Sequence, residues 1–345
     1  MNMVLVFGSG GFIGTYLINQ LAESNCRVVA CDQNNIGEDY CRKLGVPFHR
    51  IDITKRDEFE RLPSTEIDAV VHLACVQPAN ISIEKYTPES FINVNVLGTI
   101  NILEFCRKHR IPKLIYTCSH RNTQGMWLEK NGSAISEADG RSLLFTGDYA
   151  MFSISESAAA DCVEHYTQSY GLNGIILRLP PVYGYGPHTE IFKDGLPIKT
   201  GFQIFIERAK QGLPIELWGN PNNGRDIVYV KDVVTAIQKA ISISIQSGVL
   251  NIASGHQLTL LEQVETIIKL FSPLGHSSAI MFRPEIENNI ETYVYNIEKA
   301  KKILGWNPEF KFADMLWDYQ VEAESCRFEF LLEKRRRLFQ GKNHE

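Results

Sequence analysis

The chain has 345 residues, 44% of them hydrophobic and 22% charged, with a formal net charge of −5. That balance describes a globular protein with a large core. It gives no whole-chain attraction for nucleic acid, and no apolar segment is long enough to span a bilayer. Eight cysteines (Cys26, Cys31, Cys41, Cys75, Cys106, Cys118, Cys162 and Cys326) include no Cys-x-x-Cys pair and no zinc-like spacing. Several lie in apolar runs, where cysteine acts as a small hydrophobe. No metal site is expected, and a reducing, cytoplasmic setting is. No basic stretch precedes the first apolar run, so it is not read as a signal peptide.

That run, Val4-Leu5-Val6-Phe7, predicts a buried strand leading into Gly8-Ser9-Gly10-Gly11-Phe12-Ile13-Gly14 and a helix over Phe12–Glu23. A second strand, Arg27–Cys31, ends at Asp32. A helix entered from a glycine turn points free N–H groups and a positive dipole end at its ligand, which suits a pyrophosphate. Gly8 permits the turn, Gly11 lets backbone approach phosphate, and Gly14 lets the helix lie close to the strand. Phe12 and Ile13 complete the loop. Asp32 suits the hydroxyls of an adenosine ribose and repels a 2′-phosphate, so the expected cofactor is NAD.

Further strands are predicted at Phe48–Ile51, Ala69–Leu73, Leu114–Thr117 and Gly174–Leu177, with long amphipathic helices at Pro88–His109 and Asp148–Tyr170. The alternation implies an α/β fold: a Rossmann-like, doubly wound parallel sheet with ligands at the C-terminal strand ends. After Arg178 the rhythm breaks in the stiff segment Pro180–Pro187. Beyond it come Glu207–Gly212, a turn at Gly219–Gly224, a helix at Val230–Ser242 and a strand-like Val249–Ile252. We read 1–178 and 226–255 as the cofactor domain. Residues 179–225 and 256–325 form a smaller, partly interleaved C-terminal substrate lobe, and 326–345 a tail. The basic run Glu333-Lys334-Arg335-Arg336-Arg337 is expected to be a solvated helix end.

In order along the chain stand the Gly8–Gly14 loop, Asp52-Ile53, Val71-His72-Leu73-Ala74, Asn95-Val96-Leu97-Gly98-Thr99, Arg178 and Val182-Tyr183-Gly184. They continue with Gly224-Arg225-Asp226 through Val233, Arg283-Pro284-Glu285 and Leu304-Gly305-Trp306-Asn307-Pro308. The sequence from about residue 3 to 310 thereby resembles the extended short-chain dehydrogenase/reductase family, in its nucleotide-sugar epimerase and dehydratase branch. The resemblance implies that Asp52 and Ile53 lie against adenine, with Leu73 and Ala74 also at the cofactor. It implies that Arg225 and Arg283, near Tyr183, reach the diphosphate of a nucleoside-diphosphate sugar. Alternatively, such arginines pair with a carboxylate such as Asp226. It further implies a homodimer through the two long helices. Pro181 stands where the family's pattern has asparagine.

The catalytic segment departs from the family, which uses a tyrosine and a lysine four residues on, with a serine or threonine from the preceding strand end. Tyr-x-x-x-Lys is absent from this region. Counting back from Tyr170-Gly171-Leu172 puts Phe152 at the tyrosine position and Glu156 at the lysine, with Ser155 before it. An alternative register anchored on Tyr149 gives Ser153 in place of lysine. Ser119 matches the family's hydroxyl, but His120-Arg121-Asn122 follows where relatives have small or acidic residues. A Glu156 carboxylate would favour oxidised over reduced nicotinamide by about 3 kcal/mol at ~6 Å and an effective dielectric of ~20. Phe152 offers no proton, so conventional redox turnover is not expected. One reading is an enzyme with rewired acid/base groups drawn from Ser119, His120, Tyr149, Glu156 and Cys75. The others are a pseudoenzyme binding NAD and a nucleotide sugar, and a cofactor-binding interaction protein.

Overall fold

The computed structural model describes residues 3–78, 87–193, 196–243, 248–288 and 291–340. Seven strands form one all-parallel sheet. They are β1 (Met3–Phe7), β2 (Arg27–Asp32), β3 (Phe48–Arg50), β4 (Ile67–His72), β5 (Lys113–Ser119), β6 (Asn173–Leu179) and a last strand, Gly248–Asn251. Their spatial order is Gly248–Asn251, β6, β5, β4, β1, β2, β3. Every residue of β1 is buried, because a central parallel strand has helices over both faces. Val4 and Val6 enter the core on one side, and Met3, Leu5 and Phe7 the core on the other. The strand order reverses between β1 and β4, the place where such sheets open a crevice for a ligand.

Helix α1 (Phe12–Glu23) and the helix Val230–Ser242 pack together on one face. The other face carries α3 (Pro88–Phe91), α4 (Thr99–Lys108) and the long α6 (Ala150–Tyr170); α2 (Glu38–Lys43) and the one-turn α5 (Trp127–Lys130) are peripheral. Between α3 and α4 the helix that the sequence predicts as continuous is wound as a π-helix, Ile92–Gly98. The cause is visible at Asn95. Its Oδ1 accepts the Val76 N–H at 2.7 Å, while its Nδ2 donates to the Val76 carbonyl at 3.1 Å and to Ser155 Oγ at 3.0 Å. Satisfying that buried amide outweighs regular helix spacing.

The Pro180–Pro187 segment holds only a two-residue strand, Val182–Tyr183, pairing in parallel with Val228–Tyr229. The basic run is not a solvated end. It belongs to the helix Glu329–Gln340, in which Lys334 pairs with Asp39 and Arg336 Nε with Glu190 at 2.7 Å. Phe328 and Leu331, both fully buried, hold this segment to the core beside Tyr16 and Tyr40. None of the eight cysteines is in a disulfide. Among the described residues no helix is long and apolar enough to cross a membrane, and no cluster of metal-ligating side chains occurs.

Candidate active site

The glycine loop lies at the strand-order reversal. Gly8 has φ +82°, and a Cβ there would come within 2.7 Å of the Ala74 nitrogen. That is how β1 passes so close to Leu73 and Ala74 at the end of β4. At Gly14 a Cβ would stand 2.2 Å from the Gly8 carbonyl oxygen, so only glycine lets α1 lie on the loop. Gly11 differs: its Cβ would meet nothing but the Gly8 oxygen at 3.3 Å. Its outer side is open, and α1 has neither a side-chain cap nor an acidic residue in its first turn. The N–H groups there are left for an anion.

Asp32 is fastened to this loop. Its Oδ2 accepts the Gly10 N–H at 2.9 Å, and its Oδ1 accepts Asn34 N and Nδ2 at 3.3 and 3.2 Å. Burial raises its pKa while those bonds hold it down. Asp52 Oδ1 takes the Thr54 N–H and hydroxyl, and Ile53 is buried against Gly98. The Phe12 ring stacks on His188 at 3.4 Å, and the partly buried Ile13 packs against the core. The cradle fits a dinucleotide.

A second group converges where β5 ends. Ser119 Oγ accepts the Arg121 N–H at 3.2 Å and lies 3.5 Å from His120 Nδ1. His120 stacks with Trp127 and Tyr293, and an imidazole N–H donates to the Leu179 carbonyl. Burial, then the Arg121 and Arg225 guanidiniums, hold its pKa well below the ordinary histidine range. It is neutral.

Glu156 is buried beneath this point on α6. It accepts the Tyr116 hydroxyl at 3.2 Å and the backbone N–H of Ser119. Burial pushes its carboxyl up to about 8, against the lowering effect of those two bonds. The fixed negative charge expected from the sequence is therefore mostly protonated at neutral pH. Cys75 and Cys118 lie close enough to feel it, and burial pushes both thiols up to about 12. Phe152 is buried one turn before Glu156. Tyr149 is 40% exposed and carries the Arg121 guanidinium 4.2 Å above its ring. Ser153 Oγ is committed to the Arg121 carbonyl at 2.8 Å.

The two arginines assigned to a diphosphate differ. Asp226 does not pair with Arg225: its carboxylate takes Ser254 N and Oγ, Gly255 N and Tyr295 N. Arg225 Nη2 instead donates to the Tyr183 hydroxyl at 3.5 Å, and its buried Nε has no hydrogen-bond partner. Arg283 is ion-paired with Glu216 at 3.4 Å. A cavity of about 800 Å³ has Tyr183, Phe202, Gln203, Trp218, Arg225 and Gln263 among its walls, which include neither Ser119 nor Arg283. The sequence reading missed Tyr116 as Glu156's partner, although strand alternation already places it on one face with Leu114 and Cys118. It also missed Trp127, Tyr293 and, apart from Tyr183 and Arg225, the walls of the cavity, which come from separate short segments.

A model of the NAD dependent epimerase/dehydratase family matches residues 4–253. The chain belongs to this family. Within it the chain is 28% identical over 307 residues to a putative UDP-glucose 4-epimerase of Methanocaldococcus jannaschii, covering 89% of this chain and 93% of that one. It is 26% identical over 323 residues to UDP-glucuronic acid decarboxylase 6 of Arabidopsis thaliana, covering 91% and 86%. The fold matches UDP-glucose 4-epimerase of Thermotoga maritima with a TM-score of 0.76 at 24% identity, over 94% of this chain and 99% of that one.

Proposed function

We propose that this protein binds NAD and a nucleoside-diphosphate sugar and acts on the sugar by epimerase- or dehydratase-type chemistry, using Ser119, His120 and Glu156 where relatives use a tyrosine and a lysine. The observation that carries this reading is the group at the end of β5. A neutral imidazole stands by a serine hydroxyl, and a buried carboxyl that titrates near operating pH lies just below. NAD, when bound, supplies the hydride acceptor. Gly8, Gly11, Gly14 and the N–H groups of Phe12 and Ile13 would hold its pyrophosphate, Asp32 its ribose, and Asp52, Ile53, Leu73 and Ala74 its adenine and flank. Tyr183 and Arg225 would hold the sugar's diphosphate in the cavity, with Arg283 at its rim. Ser119 then passes the proton of a sugar hydroxyl to His120 Nδ1, and Glu156 gains or loses a proton as charge changes above it. In this reading 1–178 and 226–255 serve the cofactor and 179–225 and 256–325 the substrate. Two copies pair through 88–108 and 150–170, where Ile92 and Leu97 stand exposed.

One observation favours a non-catalytic binder instead. Glu156 bonds inward, to Tyr116 and to the Ser119 backbone, and Phe152 has no ionisable proton. The protein, with and without added NAD, is incubated with UDP-, GDP-, dTDP- and CDP-sugars in deuterated water and the products are followed by NMR and mass spectrometry. Water loss, deuterium uptake or a new stereoisomer is the expected result. Every sugar returned unchanged by NAD-loaded protein makes it a pseudoenzyme.

A further inference from the structure

Two guanidiniums near the end of β5, those of Arg121 and Arg225, both act on His120. Arg121 lies 4.2 Å from the Tyr149 ring centroid and 5.6 Å from that of Trp127. Trp127 stacks on Tyr293 at 4.1 Å. Arg121 and Arg225 both act electrostatically on His120 and on Tyr293, so both lie near these rings. Among the described residues neither arginine has a carboxylate within ion-pair distance, whereas Arg283 has Glu216. Asp226 is the nearby acid, and four backbone and hydroxyl donors occupy it. Two buried polar atoms in this group, Arg225 Nε and the Tyr293 hydroxyl, have no hydrogen-bond partner. Two positive charges beside a neutral imidazole, with unpaired donors, await an anion.

The positions of the two arginines separate their tasks. Arg225 stands in the wall of the large cavity, and Arg121 follows Ser119 by two residues, its backbone N–H donating to the Ser119 hydroxyl. A ligand with its diphosphate at Arg225 and its sugar at Ser119 brings the sugar's substituents beside Arg121. The guanidinium lies 4.2 Å from the Tyr149 centroid with no ion-pair partner among the described residues, and its planar fork suits a carboxylate taken by two parallel bonds.

Resting on the nucleotide-sugar reading above, we infer that the substrate's sugar is acidic, a uronic acid, and that Arg121 selects it by binding its carboxylate. Binding of UDP, UDP-glucose, UDP-glucuronate, GDP-mannose and GDP-mannuronate to NAD-loaded protein is measured by calorimetry, for wild type, Arg121→Gln and Arg121→Lys. One acidic sugar is expected to bind about 10- to 100-fold tighter than its neutral partner, the strength of a charged hydrogen-bonded pair. Arg121→Gln should abolish that ratio while leaving the neutral sugar and UDP within about twofold, and Arg121→Lys should keep part of it. The ratio is a readout that a purely structural arginine would not move, and the lysine variant serves if the glutamine variant fails to fold. Equal affinity for acidic and neutral sugars overturns the inference and leaves the nucleotide-sugar reading intact. So does an equal loss for UDP and every sugar, which makes Arg121 a diphosphate contact. Binding of no nucleotide sugar overturns both.

Discussion

Replacing Glu156 by glutamine tests how the buried carboxyl couples to the cofactor. With its pKa at about 8, only ~10% of the group is ionised at pH 7. A carboxylate ~6 Å from the nicotinamide at an effective dielectric of ~20 favours the cationic ring by about 3 kcal/mol, or about 2 pKa units. Linkage then gives Glu156 a pKa near ~6 under NAD and leaves it near ~8 under NADH. Relative to the glutamine variant, the preference for NAD over NADH should climb from ~2-fold at pH 6 to ~10-fold at pH 7 and ~50-fold at pH 8. Tyr116, Cys75, Cys118 and His120 stay silent in this window. Burial pushes Tyr116 well above its usual range and Cys75 and Cys118 to about 12, and holds His120 well below its own. The assay is NADH fluorescence titration with NAD competition between pH 6 and 9, backed by calorimetry in two buffers to count protons released. A preference that changes with pH equally in wild type and Glu156→Gln would refute the reasoning.

The same carboxyl governs stability. Its folded pKa lies above the ordinary value of 4.5, so the folded state binds the extra proton and wild type loses stability as pH rises from 4.5 through about 8. The loss approaches about 5 kcal/mol, and the melting-temperature advantage of Glu156→Gln should therefore widen toward pH 8 and vanish near pH 4. Gly14→Ala, whose Cβ would sit 2.2 Å from the Gly8 oxygen, should lower the melting temperature of cofactor-free protein. Gly11→Ala, open on its outer side, should leave that temperature unchanged and weaken NAD binding, as calorimetry would show. Phe328→Ala removes a fully buried ring packed on Tyr16 and Tyr40, and should cost about 3–5 kcal/mol in a urea titration.

Much of the site was legible because its chemistry is local. The spacing of Gly8, Gly11 and Gly14 states how close backbone, helix and phosphate must come, and Gly8 and Gly14 meet backbone where a Cβ would go. Helices Phe12–Glu23 and Val230–Ser242 were read to the residue from apolar periodicity. The π-helix was not legible, because its cause is the bonding of Asn95 to Val76, 19 residues away in sequence. The basic run misled for the same reason: a charge pattern says what a helix end would do in water, not that Asp39 and Glu190 wait beside it.

By itself the sequence determined the parallel sheet, the order of its strands along the chain, the glycine cradle and the absence of any lysine from 148–170, since these follow from residue type and spacing within one or two elements. Only the tertiary structure decided the charges. Desolvation makes Glu156 mostly neutral, four donors take Asp226 from Arg225, and Glu216 takes Arg283. The free energy of a charge depends on what surrounds it in three dimensions, and those neighbours come from distant parts of the chain.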